Sequence, residues 1–162
     1  MAAKSQKNNR EHASRTLNKK AFRDYELIDK FNAGISLLGT EVKSLRQGQG
    51  DLDGSYARLI NDECWLVGSK IAPYALAGAM VNHEPTRKRK LLLHKSELRK
   101  IRTKLDQRGF TLVPLQIYFN QRGLAKVELA LARGKRKYDK RDKINERTQK
   151  RDVERDMKKY RR

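Results

Sequence analysis

Through much of the middle of the chain, apolar and polar residues alternate with the period of two that marks half-buried strands. From Asp24 the alternation runs through Tyr25 and Leu27, then loses phase at Ile28 and Phe31. That predicts a strand with a bend. Gly34 reads as a turn, with Ile35–Leu38 as a second strand. Thr40, Glu41, Val42, Leu45 and Arg46 predict a short helix with Thr40 as its cap, and Gly48, Gly50 and Gly54 break the chain behind it. Ser55–Ile60 and Cys64–Ile71 predict two strands joined as a hairpin at Asn61-Asp62-Glu63. Residues 72–90 hold Pro73, Gly78 and Pro85 and read as irregular up to the basic run. Leu98, Ile101 and Leu105 have helical spacing within Ser96–Gln107, which Gly109 ends. Phe110–Asn120 and Leu124–Arg133 predict two more strands, joined at Gln121-Arg122-Gly123.

About six short strands with two or three short helices predict a mainly β fold. A small antiparallel barrel of the OB type is the first choice. A pleated sheet with helices on one face is the alternative. Residues 1–17 read as a flexible basic arm, residues 18–133 as the barrel, and residues 134–162 as a basic tail. In the tail Val153, Met157 and Tyr160 follow i, i+4, i+7, a single narrow helical stripe. So thin a face predicts a segment that is disordered alone and helical in an anionic partner, with an always-disordered solubilising tail as the alternative.

Charge changes the picture more than composition does. The net charge of +20 sits in three blocks: +5 in residues 1–20, +8 in 85–104 and +9 in 133–162. The rest of the chain carries −2. A field of that sign around a near-neutral body predicts a polyanionic partner, most naturally nucleic acid. A membrane surface would call for a basic helix with a broad apolar face, and none is evident. No run approaches the roughly 18 apolar residues of a membrane span. The opening MAAKSQKNNR lacks the apolar region of a secretory signal. A single cysteine, Cys64, excludes an internal disulfide, and the cytosol is the simple expectation.

Catalytic chemistry finds little support. His12, His83 and His94 share no metal-ligand spacing, Cys64 sits inside a predicted strand, and no phosphate-binding glycine loop is present. Asp51 and Asp53, with His94, are the residues an RNA-cleaving enzyme would have to use. Aromatic rings are better candidates, because RNA readers stack unpaired bases on them. Tyr25 enters a strand beside Lys19, Lys20 and Arg23, and Tyr56 follows a polar loop. Each is either a stacking ring or a half-buried one.

The ordered motifs go further. Asn18-Lys19-Lys20-Ala21 leads into Tyr25, then Phe31-Asn32-Ala33-Gly34-Ile35. Gly39-Thr40-Glu41-Val42-Lys43-Ser44-Leu45-Arg46 follows, then Ser55-Tyr56. Pro85-Thr86-Arg87-Lys88-Arg89-Lys90-Leu91-Leu92-Leu93 and Gly134-Lys135-Arg136 with Asp139-Lys140-Arg141 complete the set. In this order the chain resembles the SsrA-binding protein (small protein B) family of bacterial trans-translation.

The resemblance implies an OB-type barrel that binds the tRNA-like domain of transfer-messenger RNA. The complex would enter stalled ribosomes, with the tail helical in the empty mRNA channel beside the decoding centre and small-subunit rRNA. It implies a cytoplasmic, non-enzymatic factor, monomeric on its RNA, with no cofactor or metal. The family's RNA surface maps to Asn18, Lys19, Tyr25, Glu41, Lys43, Arg46, Tyr56, Arg87, Lys90 and Lys126. Its decoding-centre segment maps to Arg133, Lys135, Arg136, Tyr138, Asp139, Lys140 and Arg141. Two positions depart from the pattern. Asn32 stands where relatives often carry Glu, and Tyr138 where some carry His, so stacking transfers but imidazole chemistry does not. Glu41 carries two readings, an acceptor for RNA groups or a carboxylate favoured by the start of its helix.

Overall fold

The computed structural model describes residues 15–78 and 80–135. The elements run β1 (Thr16–Leu17), α1 (Lys19–Asp24), β2 (Tyr25–Ile35), α2 (Gly39–Arg46), β3 (Gly50–Asp51), β4 (Tyr56–Ile60), β5 (Glu63–Val67), β6 (Lys70–Ile71), β7 (Arg89–Leu92), α3 (Lys95–Leu105), β8 (Phe110–Phe119) and β9 (Ala125–Gly134). Six strands close a ring in the order β2–β9–β8–β4–β5–β7 and back to β2, every pairing antiparallel. Closure leaves no long free edge, which is how such barrels avoid edge-to-edge association. The expected barrel is present, and the ring rules out the open pleated sheet.

Two bulges explain the lost phase. In β2 the register with β9 slips between Leu27 and Asp29, so Ile28 is the extra residue. Before it, Tyr25 and Leu27 pack on an outer cluster with Ala21, Val113, Leu115, Ala130 and Ala132. After it, Phe31, Ala33 and Ile35 join the barrel interior. All are odd-numbered, so only an inserted residue can move them between faces. Strand β8 does the same between Pro114 and Gln116. Pro114 lacks an N–H and is tolerated there because a bulge interrupts the ladder. Helix α1 covers the outer cluster, which is why β8 and β9 are buried on both faces and read as nearly continuous apolar runs.

Several local expectations change. Gly34 lies inside β2, where an added Cβ would meet Leu92 Cβ at 3.3 Å, so it marks close strand packing rather than a turn. The second strand foreseen at Ile35–Leu38 is the end of β2 and a loop. Thr40 does not cap α2: the N-cap is Leu38, whose N–H donates to Glu41 Oε2 at 2.8 Å. The Cys64–Ile71 strand is two, split at Gly68 with φ +77°. The hairpin turn is Asn61-Asp62, both at positive φ, with Glu63 already in β5. Helix α1 and strand β7 arise where no element was expected, and Thr16, Leu17 and Gly134 are strand residues at the two ends of the barrel.

Asn18 locks α1 to the β8 bulge. Its Oδ1 accepts from Ala21 N at 3.0 Å as the helix cap, and its Nδ2 donates to Leu52 O and Pro114 O at 3.1 and 3.0 Å. Its own N–H donates to Leu115 O at 2.8 Å. On the other side of the fold, buried Glu41 joins α2 to the segment entering β7. Glu41 Oε1 accepts from Arg87 Nε and Arg89 Nε, both at 2.8 Å; Oε2 accepts from Arg87 Nη2 at 2.6 Å. Arg89 is fully buried, and its remaining donors reach Ser69 O, Ser69 Oγ, Arg87 O and Pro85 O. Burial works against the ionised form of Glu41. Hydrogen bonds from Arg87 and Leu38 and the charges of Arg89 and Arg87 outweigh it, so its carboxyl sits below the ordinary 4.5.

Two stability measurements test these joints. Asn18→Ala removes the helix cap and the two amide bonds to Leu52 O and Pro114 O, of which Leu52 O keeps its bonds from Ser55, for an expected loss of about 1–3 kcal/mol in urea unfolding. A loss under half that would mean water replaces the amide. Glu41→Gln leaves Arg89 buried without its counter-charge, for an expected loss of roughly 3–5 kcal/mol at pH 7. Because the folded carboxyl is lowered, its contribution is complete above pH 4.5 and fades as pH falls through the lower folded value. Wild type should therefore lose more stability than the variant on acidification; parallel acid limbs would refute the assignment.

Candidate nucleic-acid interface

The candidate residues fall into groups set by the elements that carry them. On one side, α1 holds Lys19 and Lys20 exposed, and Tyr25 terminates it. Tyr25 and Tyr56 line one cleft of about 460 Å³ with Lys20, Asp53, Thr111 and Val113. Tyr56 is 42% exposed, whereas Tyr25 is half-buried against the outer cluster. The two rings thus share a concavity, with a cation at its rim in the Lys20–Asp53 ion pair. A base entering there would meet the faces of both rings, with Lys20, Asp24 and Asp53 around it.

Arg133 and Lys135 belong to this side through β9. Tyr25 pairs with Gly134, and Glu26 with Arg133, whose side chain is exposed. Lys135 closes the end of α1: its N–H donates to Asp24 O at 3.1 Å and its Nζ to Phe22 O and Arg23 O at 3.0 and 3.2 Å. A cation on the last carbonyls of a helix is electrostatically favoured. Arg136, Tyr138, Asp139, Lys140 and Arg141 lie outside the described residues, as do the expected helical tail and most of the expected arm.

A second group surrounds α2. Lys43 lies 5.2 Å from the centroid of the Tyr74 ring, and Arg46 lies 5.4 Å from that of Phe119. Both are exposed cations steadied on aromatic faces. Arg87 remains 27% exposed while its fork is held by Glu41 and by Ser36 O at 3.3 Å. Lys90 leaves β7 opposite Trp65 and pairs with Glu63. Lys126 sits on β9 between Gly34 and Tyr118, and Tyr118 Oη donates to Asn32 Oδ1 at 3.4 Å.

Two candidates are not themselves surface groups. Asn18 and Glu41 are buried and their polar atoms are engaged inside the fold. Glu41 acts by aiming Arg87, not as an open acceptor. The basic run Arg87–Lys90 does not present a single face. Arg89 points inward with Leu91, while Lys90 and Leu92 point outward, as a strand requires. Phe22, 48% exposed on α1 between Lys19 and Arg23, is an aromatic surface group that was missed because no helix was expected there.

The residues proposed for cleavage chemistry are otherwise occupied. Asp51 Oδ1 accepts from Asp53 N at 2.8 Å, Asp53 pairs with Lys20, and His94 begins α3. Among the described residues no three His, Cys, Asp or Glu side chains come together as a metal site. Burial pushes the Cys64 thiol to about 12, so it stays protonated at neutral pH. No helix among the described residues is long and apolar enough to cross a membrane.

Known proteins match this architecture closely. A family model described as SmpB protein matches residues 15–159. The SsrA-binding protein of Roseiflexus sp. (strain RS-1) is 51% identical over 141 residues, 87% of this chain and 89% of that one. The one from Thermus thermophilus is 56% identical over 124 residues, 76% and 85% of the two chains. A solved structure described as "tmRNA-SmpB: a journey to the center of the bacterial ribosome" superposes with a TM-score of 0.65 at 52% identity, covering 80% of this chain and 94% of that one. With most of its length matched and its barrel shared, the chain belongs to the SmpB family of SsrA-binding proteins.

Proposed function

We propose that this protein is a trans-translation factor. It binds the tRNA-like domain of transfer-messenger RNA with its barrel and delivers it to stalled ribosomes in the cytoplasm. Residues from 134 onward occupy the empty mRNA channel beside the decoding centre. It does so as an RNA-binding protein, without catalysis, cofactor or metal. The observation that carries this reading is the Tyr25–Tyr56 cleft beside the cations of α1. In a family whose relatives bind SsrA and whose solved structure is described on the bacterial ribosome, such a surface has an obvious substrate.

Chemically, the barrel supplies two kinds of contact. Lys19, Lys43, Arg46 and Lys126 provide positive charge for the phosphate backbone, which gives affinity without selectivity. The rings of Tyr25 and Tyr56 offer flat faces to unstacked bases, which a regular duplex does not present. Arg87, fixed in orientation by Glu41, offers a directed guanidinium rather than a swinging one. The tail begins from a fixed point, because Lys135 is hydrogen-bonded to the end of α1.

The test is affinity for a synthetic tRNA-like domain of transfer-messenger RNA against ordinary tRNA, measured over a salt series. A preference that survives rising salt is the expected result. Equal affinities that collapse together would reduce the interaction to charge and favour a general ribosomal protein. Tyr56→Ala, and Tyr25→Leu to preserve packing, should each weaken tRNA-like-domain binding by about 1–3 kcal/mol if a base stacks there. Unchanged dissociation constants in folded variants would make both rings structural.

A chain ended after Lys135 keeps β9 and the α1 contact intact. It should hold its affinity for the tRNA-like domain and lose peptide tagging on stalled ribosomes. Tagging at the full-length rate would remove the tail from the mechanism.

A further inference from the structure

Residues 71–86 contain no lysine or arginine, the longest such stretch in a chain with 39 of them. The described residues of this stretch form a loop whose base is held by hydrogen bonds. His83 is buried, with Nδ1 2.9 Å from Thr40 Oγ1 and Nε2 3.1 Å from Ile71 O. Ala72 N donates to Gln49 O at 3.0 Å. Higher up, the Asn82 side chain clamps the Tyr74 backbone: its Oδ1 accepts from Tyr74 N and its Nδ2 donates to Tyr74 O, both at 3.0 Å. Two turns stiffen the tip, Ala77 N to Tyr74 O and Val81 N to Gly78 O, each at 3.0 Å.

The tip carries the wrong residues for a solvated loop. Leu76 is 83% exposed, Val81 is 75% exposed and Met80 is fully exposed. No other part of the described surface gathers three large aliphatic side chains this open within six residues. Exposed apolar surface concentrated on one loop marks an interaction site. An ordered loop also avoids the entropy cost of folding on its partner. The charge pattern selects the partner's chemistry. A loop meant for nucleic acid would carry cations for phosphate; this one carries none, and its one formal charge is Glu84.

We infer that the Leu76–Met80–Val81 tip docks into an apolar cleft on a protein of the stalled ribosome, giving the factor a protein contact separate from its RNA contacts. The inference rests on the proposed role at the ribosome. Met80 suits such a cleft because its unbranched thioether side chain adapts to the cleft's shape. The same loop buttresses the RNA side, since Lys43 rests on the Tyr74 ring at its base. Protein and RNA contacts would then be made at once and reinforce each other.

The test uses the full-length chain with transfer-messenger RNA and purified stalled ribosomes. The photoreactive residue p-benzoylphenylalanine is placed at position 80, and in a control chain at exposed position 124. Irradiation should give adducts from position 80, well above the control, on a ribosomal protein. Adducts on RNA, on a second copy of this chain, or no excess over the control overturn the inference. In parallel, the combined variant Leu76→Ser, Met80→Ser, Val81→Ser should bind the tRNA-like domain as wild type does and associate with stalled ribosomes at least tenfold more weakly. Undiminished association refutes the contact. A wild-type chain without preference for the tRNA-like domain brings down the proposed role itself, an outcome distinct from loss of the loop contact alone.

Discussion

Everything on the α2 side of this protein depends on one buried carboxylate holding two guanidinium groups. Glu41, Arg87 and Arg89 come from α2 and from the segment leading into β7, 46 and 48 residues apart in sequence. Each buried ion costs several kcal/mol to desolvate, and the cluster survives because every oxygen and nearly every N–H has a partner. Its value lies less in net stability than in specification. It sets the crossing of α2 over the barrel, seats the chain from Pro85 to Arg89, and decides that Arg89 turns inward while Arg87 reaches the surface. Replacing either arginine by lysine would keep the charge and lose the fork that fits both carboxylate oxygens.

The opposite side is organised by hydrogen bonds rather than charge. Two bulges let β2 and β8 serve two apolar clusters, one inside the ring and one beneath α1. Asn18 stitches the helix to the β8 bulge, and Lys135 ties the end of β9 back to the helix. Tyr25 stands where these meet: it ends α1, opens β2 and walls the cleft it shares with Tyr56. The rigid part of the candidate interface thus sits on regular elements, with its loops as rims.

Much of this fold was legible in the sequence because strands of a small barrel advertise themselves by period two. The β4–β5 hairpin, β8, β9 and α3 follow directly from alternation, helical spacing and turn residues. What stayed hidden has local physical causes. Helix α1 has six residues, too few for a periodic signal, and is stable only through its cap and its packing on β8 and β2. Strand β7 starts within a run of four cations, where the inward arginine looks like one more surface charge. Gly34 looked like punctuation because nothing in the sequence shows the leucine that crowds it. At the candidate site, the ring pair Tyr25 and Tyr56 and the cations of α1 were visible as residue types. Their convergence was not, because it depends on a strand pairing across the barrel. The dual nature of Glu41 resolved only when its two arginine partners appeared.

The ion pairs around β7 and α3 also alter the thermodynamics of assembly on a polyanion. Residues 85–104 hold nine cations, yet Arg89 is sealed in the interior and Arg87, Lys90 and Arg102 already face carboxylates of their own chain. Small ions condensed on a nucleic-acid backbone are set free only by cations that replace them. This block therefore liberates fewer counterions than its formal charge suggests, which weakens its entropic pull on random RNA. A surface built that way leaves more of the discrimination to shape and to aromatic contact, which suits a factor that must find one folded RNA among a large excess of others.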